Sequence, residues 1–317
     1  MRWEKLGIIF KPSDHNLPYG CTEFAQSPQA LVLRDRVRVY FSTRSRDEHG
    51  KFLSHIAFVD FEPDLSRIID VSREPVIDLG ELGCFDEHGI FPMNVVRYGD
   101  HVYGFTCGWS RRVSVSVETS IGLAVSSDDG VTFQKIGNGP ILSSSVEEPF
   151  LVGDPFVRIY GSEWHMWYIH GTKWLANDDG SPAERVYKIA HATSTDGRRW
   201  KRSGRRLISD SLNADECQAL PTVVEFRGRF HMYFCYREAI DFRANRSRGY
   251  RLGYAYSDDL VNWTRDDANA GISRIDEGWD SEMMCYPHLV GLDDDLYLLY
   301  NGNQFGRLGF GAARLVS

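Results

Sequence analysis

The sequence contains a fivefold internal repeat, which is the feature that most limits the folds open to it. Each copy has a proline, a short apolar run, a polar turn and a second run rich in aromatic residues, as in SPQALVLRDRVRVYFSTR and LPTVVEFRGRFHMYFCYR. Two strands joined by a hairpin fit this pattern. The copies are spaced 63 to 66 residues apart and begin at Pro28, Pro92, Pro155, Pro221 and Pro287.

Two further strands are predicted in each repeat. A third strand ends in a turn containing Asp-Gly or Asp-Asp, as in IGLAVSSDDGVTF, KIAHATSTDGRRW and LGYAYSDDLVNW. A fourth, shorter strand follows, as in PVIDLG and RLISD. Four antiparallel strands repeated five times predict an all-β fold, a five-bladed β-propeller.

The ends of the chain complement each other. The last repeat stops after its third strand, LGFGAARLVS, whereas the N-terminal segment EKLGIIFKP is an isolated strand of the fourth type. Pairing of these segments would complete the last blade and close the ring, which removes two exposed strand edges. We therefore expect a single propeller domain spanning residues 1–317.

Composition excludes several functional classes. The net charge of −8 and the absence of a basic stripe argue against nucleic acid or an anionic membrane as a partner. The N-terminal apolar run is too short for a signal peptide and no segment is long enough to span a membrane, which predicts a cytoplasmic protein. The six cysteines are widely spaced, so we expect reduced, mostly buried thiols.

Acidic residues recur at one position of the repeat. The position five residues before each anchoring proline holds Glu23, Glu87, Phe150, Glu216 and Glu282. Other acids lie close by: Asp86, Asp154, Asp215 and Asp280. Since the loops that precede the first strands share one end of a propeller, a mouth lined with carboxylates is predicted. The alternative for any single acid is that it caps a turn or accepts hydrogen bonds from loop amides.

The loops that leave the second strands add polar and aromatic groups to the same end. Together with Gln26, the candidates for substrate binding here are Arg44, Trp109, His170, Lys173, Trp174, Tyr236, Arg237, Asn301 and Asn303. Aromatic platforms, amides and acids around a concave site suit a sugar, whose ring face stacks and whose hydroxyls form hydrogen bonds. Trp109 and Trp174 follow strand ends and are the candidates for stacking, whereas mid-strand aromatic residues are expected in the core: Trp167, Tyr168, Tyr233, Phe234, Tyr297 and Tyr300.

Several motifs carry a resemblance to a known superfamily. They are Asp154-Pro155 in VGDPFV, Glu216 before the next first strand, and the Ser194–Trp200 turn STDGRRW. The chain resembles the five-bladed propeller glycosidases of families 43, 32, 117 and 130. The segments SIGLAVSSDDGVTF, GWDSEMMCYP and YNGNQFGRLGFG are more closely similar to glycosidase-like propellers encoded in bacterial surface-polysaccharide gene clusters.

The resemblance implies roles for individual residues. Family 43 enzymes of the inverting type use an aspartate base in blade one, an orienting aspartate in blade three and a glutamate acid in blade four. Asp154 matches the blade-three position and Glu216 is the blade-four candidate, with a raised pKa predicted beside Asp215. Ser27 stands where the base is expected. The base is therefore open among four acids: Glu23, Asp86, Glu87 and Glu282.

Three functions fit these features. The first is an enzyme that cleaves or transfers a glycosidic bond in polysaccharide metabolism; a phosphorylase or transferase would use Arg44, Lys173 or Arg237 for an anionic co-substrate. The second is a non-catalytic protein that binds a sugar or sugar nucleotide. In the third, carboxylates and His88 or His170 hold a divalent ion in the channel. No organic cofactor is expected.

Overall fold

The computed structural model describes residues 1–177, 180 and 182–316, and these are almost entirely β-structure. The one α-helix among them, α1 (Asn303–Gly306), is a single turn, so no described helix is long and apolar enough to cross a membrane. Short 3₁₀ turns lie at Pro12–Asp14, Pro18–Gly20 and Asp267–Asn269. The strands are β1 (Trp3–Phe10), β2 (Gln26–Val32), β3 (Val37–Arg46), β4 (Phe52–Phe61), β5 (Ile68–Val71), β6 (Gly89–Tyr98), β7 (His101–Arg111), β8 (Val117–Ser126), β9 (Gln134–Lys135), β10 (Val152–Tyr160), β11 (Glu163–Leu175), β12 (Glu184–Ser194), β13 (Lys201–Arg202), β14 (Cys217–Phe226), β15 (Arg229–Arg237), β16 (Arg251–Ser257), β17 (Thr264–Arg265), β18 (Cys285–Leu292), β19 (Asp295–Asn301) and β20 (Phe310–Leu315).

The strands form four-stranded antiparallel units. Strands β10 to β13 make one sheet in sequence order, and β14 to β17 make a second. A third consists of β18, β19, β20 and β1, with β1 antiparallel to β20. In the remaining sheet, β2 to β5 and β6 to β9 are joined by one parallel bridge between Ser54 and Gly89. Each repeat seen in the sequence thus corresponds to one such unit. The prediction of PVIDLG and RLISD as fourth strands is wrong: these segments are not strands, and the fourth strands β5 and β13 come earlier in the chain, directly after the third-strand turns.

The first strands of the five repeats lie side by side. Strand β2 contacts β6, β6 contacts β10, β10 contacts β14, β14 contacts β18, and β18 contacts β2. The loops on one side of this arrangement therefore converge, and the functional groups they carry can meet there.

Each first strand has a bulge at its anchoring proline. In β10, for example, the pairing register shifts between Gly153 and Phe156, on either side of Asp154-Pro155. Proline lacks an N–H and is tolerated where the ladder of hydrogen bonds is interrupted. In four repeats the residue before the proline has a positive φ, between 48° and 57°: Ser27, Asp154, Leu220 and Tyr286. The bulge turns these side chains out of the regular alternation of the strand.

The turn after the third strand is built by a serine and an aspartate. Ser126 Oγ accepts hydrogen bonds from the amides of Asp128 (3.3 Å) and Gly130 (2.9 Å), and Asp128 accepts one from Thr132. The same arrangement occurs at Ser194 with Asp196 and at Ser257 with Asp259. The predicted Asp-containing turns are confirmed.

The core lies within and between the sheets. Its largest side chains include the mid-strand aromatic residues predicted for it, all of which are buried: Trp167, Tyr168, Tyr233, Phe234, Tyr297 and Tyr300. All six cysteines are free thiols, and every one except Cys84 is buried, as predicted.

Candidate active site

A cavity of about 330 Å³ lies where the first strands converge. All five repeats contribute residues from their first strands: Gln26, Phe91, Asp154, Ala219 and Tyr286. Such a volume is in the range of small-molecule sites. Of the residues predicted from the sequence to bind substrate or act in catalysis, five line this cavity: Gln26, Arg44, Trp109, Asp154 and Arg237.

Asp154 is the only carboxylate among the described residues that line the cavity. Its side chain is brought there by the bulge in β10, and the residue is only 7% exposed. Burial raises the pKa of Asp154 to about 7, although the positive charge of Arg185 and the backbone amide of Leu220 act in the opposite direction. A carboxyl group with such a pKa holds a proton for a substantial fraction of the time at neutral pH and can donate it.

The other charged side chains in the described lining of the cavity are basic. Arg44, Arg185, Arg237 and Arg243 line it. Arg243 pairs with Glu184, whereas the other three form no salt bridge with any carboxylate in the described part of the chain. Arg185 was not predicted as a site residue because it lies near the start of the third strand β12, whereas the predicted candidates came from the loops before first strands and after second strands.

Arg237 is held by a pair of buried tyrosines beside the cavity. Its Nη2 donates a hydrogen bond of 3.0 Å to the hydroxyl of Tyr187, which lies 2.5 Å from the hydroxyl of Tyr250. Burial raises the pKa of Tyr187 to about 12, so at neutral pH it is a neutral phenol. Tyr187 is thus suited to hold Arg237 and to bind a ligand oxygen.

Aromatic rings form much of the remaining wall. The guanidinium of Arg44 lies 4.7 Å from the ring centroid of Phe24 and 5.3 Å from that of Phe52. The side chain of Trp109 forms part of the cavity lining, and its ring stacks on that of His88. Flat apolar faces next to charged groups suit a ligand with both a sugar ring and polar substituents.

Glu216, predicted as the acid with a raised pKa, has a different environment. It is fully buried outside the cavity lining, and its Oε2 accepts hydrogen bonds from the amides of Ser211 and Leu212, both at 2.9 Å. Its Oε1 accepts from Arg265 at 2.6 Å and from Gln218 at 3.0 Å. Although burial opposes them, these hydrogen bonds and the arginine lower the pKa of Glu216. The predicted raised pKa is therefore wrong.

The other acids of the predicted ring are distributed over the protein and do not line the cavity. Most have a basic or amide partner: Asp86 with Lys135 (2.5 Å), Asp215 with Lys173 (2.5 Å), Asp280 with Lys5 (2.6 Å), Glu23 with Arg307 (2.5 Å), and Glu87 with His88 (3.2 Å) and the Gly83 amide (2.7 Å). Glu282 is exposed to solvent. The sequence placed these glutamates at one repeat position with the aspartates close by, but contained no sign of the distant partners of Glu23, Asp86, Asp215 and Asp280.

The remaining candidates also lie outside the lining. Asn301 is buried and accepts a hydrogen bond of 2.7 Å from the Ser27 amide, while Asn303 accepts one of 2.7 Å from the Glu282 amide. These asparagines connect loops. Trp174 and Tyr236 pack against the core, and burial lowers the pKa of His170. Within the described residues, no group of three or more His, Cys, Asp or Glu side chains is placed to hold a metal ion.

Comparisons with known proteins agree with this architecture. No protein-family model matches the chain. It is 31% identical over 315 residues to "Uncharacterized protein Rv1502" and to "Uncharacterized protein MT1551" from two strains of Mycobacterium tuberculosis, with 99% of each chain covered. A thermostable family-43 glycoside hydrolase matches with a TM-score of 0.67 and 16% identity, over 93% of this chain and 90% of that one. The beta-1,2-mannobiose phosphorylase from Listeria innocua, solved with beta-1,2-mannobiose, matches with a TM-score of 0.68 and 12% identity, over 99% and 96%.

Proposed function

The chain belongs to the family that contains the Mycobacterium tuberculosis protein Rv1502 and has the fold of the glycosidase-like propellers, and on this basis we propose that it is a carbohydrate-active enzyme. In this proposal it cleaves or transfers a glycosidic bond, and Asp154 is the proton donor. The five repeats are the blades of one five-bladed propeller, residues 1–317, closed by the pairing of β1 with β20.

The proposal depends on the position of Asp154 in the cavity and on the raised pKa of its carboxyl group. Asp154 is the single carboxylate in the described lining of a cavity of sugar-binding character, and its pKa is raised to about 7. A general acid works best when its pKa lies near the working pH, because it is then both protonated and able to release the proton. Perturbed carboxyl groups in clefts are common at catalytic sites.

The proposed chemistry is proton transfer coupled to bond cleavage. The Asp154 carboxyl gives its proton to the glycosidic oxygen as the bond from that oxygen to the anomeric carbon breaks. An oxygen nucleophile forms the new bond to the anomeric carbon. Hydrolysis by inversion requires a second carboxylate about 6.5–9.5 Å away to remove a proton from water. No other carboxylate lines the described part of this cavity, which favours a nucleophile that needs no enzymatic base.

Transfer to an anionic acceptor, or phosphorolysis, satisfies that requirement. A phosphate dianion attacks through an oxygen that is already deprotonated, so the reaction needs an acid and cationic groups rather than an acid and a base. Arg44 and Arg237, which the sequence suggested for such a co-substrate, line the cavity, whereas Lys173 pairs with Asp215 instead. A non-catalytic sugar-binding protein is the second candidate, because the described part of the lining holds one carboxylate and not the pair of a hydrolase.

The cellular context is part of the proposal. The likeness of several segments to proteins of surface-polysaccharide gene clusters supports a role in polysaccharide metabolism, in the cytoplasm, with a small carbohydrate or a sugar nucleotide as substrate.

The test compares wild type, Asp154→Asn and Glu216→Gln on a panel of aryl glycosides, oligosaccharides and sugar nucleotides, each with and without inorganic phosphate. We expect turnover by the wild type, loss of turnover in Asp154→Asn, and retained thermal protection by the same ligand. Glu216→Gln should keep activity in proportion to its folded fraction. Thermal protection of the wild type without turnover of any compound would instead indicate the binding protein.

A further inference from the structure

Three arginines in the cavity form no salt bridge within the described part of the chain. Arg44, Arg185 and Arg237 line the cavity and have no salt-bridge partner among the residues the structure describes, although the charge of Arg185 acts on the carboxyl of Asp154. Arg237 is only 2% exposed, and its Nε has no hydrogen-bond partner; the same is true of Arg44 Nε. An unpaired buried cation is costly, because it has lost its hydration without gaining a counter-charge.

Three buried or half-buried arginines elsewhere in the protein pair with carboxylates. Arg38 forms two hydrogen bonds of 2.8 Å to the carboxylate of Asp60. Arg265 pairs with Glu216, and Arg202 pairs with Glu148 at 2.7 Å. Arg158 also has no carboxylate partner in the described part of the chain, but it donates to the Val157 carbonyl and lies outside this cavity. The three cavity arginines differ in that they share one location.

The guanidinium groups of Arg237 and Arg44 pack against aromatic rings. The guanidinium of Arg237 lies 3.4 Å from the ring centroid of Phe242, and it donates hydrogen bonds to the carbonyl of Glu238 and the hydroxyl of Tyr187. Arg44 lies against Phe24 and Phe52. Stacking on rings orients a guanidinium while leaving N–H groups on its edge for a ligand.

We propose that Arg44, Arg185 and Arg237 form a binding site for an oxyanion, a phosphate or carboxylate group, in the same cavity as Asp154. Arginine matches both groups through paired N–H donors. The net charge of the chain is −8, so a local cationic cluster is required to attract an anion into this cavity. The inference deepens the proposed function and rests on it for the reaction: the anion is either free phosphate that acts as co-substrate or an acidic group carried by the sugar.

The experiment measures binding by isothermal titration calorimetry at constant ionic strength and pH 7.5. The probes are inorganic phosphate, D-glucuronate and, as the neutral reference, D-glucose. The proteins are wild type, Arg185→Gln, Arg44→Gln and the control Arg229→Gln, which removes the same charge from an exposed pair with Asp258 outside the cavity. Arg185 and Arg44 are used because Arg237 is too deeply buried for its replacement to be harmless.

We expect phosphate, glucuronate or both to bind wild type more tightly than glucose, and each cavity variant to weaken that binding about tenfold or more. Arg229→Gln should leave it unchanged. Phosphate binding alone identifies a free oxyanion as the source, glucuronate binding alone identifies an acidic sugar, and competition between the two identifies one site for both. The proposal is overturned if neither anion binds better than glucose, or if both cavity variants keep wild-type affinity. Neither result bears on the proposed role of Asp154, because that role is tested by measuring turnover.

Discussion

Arg265 donates a 2.6 Å hydrogen bond to Glu216, and the side chains of this pair are 6% and 0% exposed. Arg265 comes from the two-residue strand β17 and also pairs with Asp267 at 2.9 Å. The pair fixes the loop that precedes β14 through the Ser211 and Leu212 amides bound by the same carboxylate. Glu216 is thus placed to stabilise the fold, at a position of the repeat where an active-site acid was predicted.

Replacing Glu216 should therefore affect stability. In Glu216→Gln, Arg265 loses its closest counter-charge but keeps Asp267, so we expect the free energy of unfolding to fall by about 1–3 kcal/mol. Urea denaturation at pH 7 measures this. The control Glu282→Gln changes an exposed glutamate and should stay within about 0.5 kcal/mol of wild type. Equal stability of Glu216→Gln and wild type would contradict the structural role.

The pH dependence of stability should report the carboxyl of Asp154. Its pKa in the folded protein is about 7, above the ordinary value of 3.8, so the folded state favours the protonated form. The resulting cost to folding is absent below pH 3.8, grows as the pH rises towards 7 and is constant above it. Asp154→Asn removes that cost. Relative to wild type, the variant should gain up to about 4 kcal/mol between pH 4 and pH 8.

This comparison needs only urea unfolding of the two proteins at several pH values. An offset between variant and wild type that does not change with pH would show that Asp154 titrates normally, and would remove the basis for its role as proton donor at neutral pH.

Stacking of the sugar should depend on Trp109 and not on Trp174. Both were predicted to follow strand ends but lie within the last residues of second strands, Trp109 in β7 and Trp174 in β11, and only Trp109 lines the cavity. Trp109→Ala should weaken binding of a sugar ligand about tenfold, as expected for loss of roughly 1.4 kcal/mol of aromatic contact. Calorimetry with the best ligand of the panel measures it. Trp174→Ala is the matched control, and an equal loss of affinity in that variant would argue against this site.

The hydroxyl of Tyr187 should help to position Arg237. Tyr187→Phe removes the acceptor of the 3.0 Å hydrogen bond from Arg237 and the partner of Tyr250, so anion affinity should fall by a few fold. The control is Tyr168→Phe, which removes a buried hydroxyl bonded to Glu148 outside the cavity lining. Loss of stability is expected in both variants, but loss of affinity only in the first. Unchanged anion affinity in Tyr187→Phe would contradict the positioning role.

The repeat made much of the architecture predictable. Prolines at one repeat position anchored the first strands, and the Ser and Asp residues of the third-strand turns could be recognised because their hydrogen bonds are local. Aromatic residues in mid-strand were correctly placed in the core. These features depend on residues close together in the sequence.

The site was harder to predict because its character depends on partners distant in sequence. Glu216 and Arg265 are 49 residues apart, and Asp86 and Lys135 are also 49 apart, so neutralisation of these acids could not be read from the loops that carry them. Arg185 could have been found, since the start of a third strand lies in the same loop as the end of a second strand. Asp154 was named as a site residue through its Asp-Pro motif, but as an orienting aspartate and not as the proton donor proposed for it from its position in the cavity.

The central claim is that Asp154 donates the proton to the leaving group. It is tested most directly by measuring how the rate lost in Asp154→Asn depends on the identity of the leaving group. The rates of wild type and Asp154→Asn are compared on two glycosides of the same sugar, one releasing dinitrophenol and one releasing a second sugar. Dinitrophenol leaves as an anion without protonation, whereas the hydroxyl oxygen of a second sugar must be protonated before it can leave. We predict a loss of about 100-fold or more for the second substrate and a far smaller loss for the first. Equal losses on both substrates would contradict the claim.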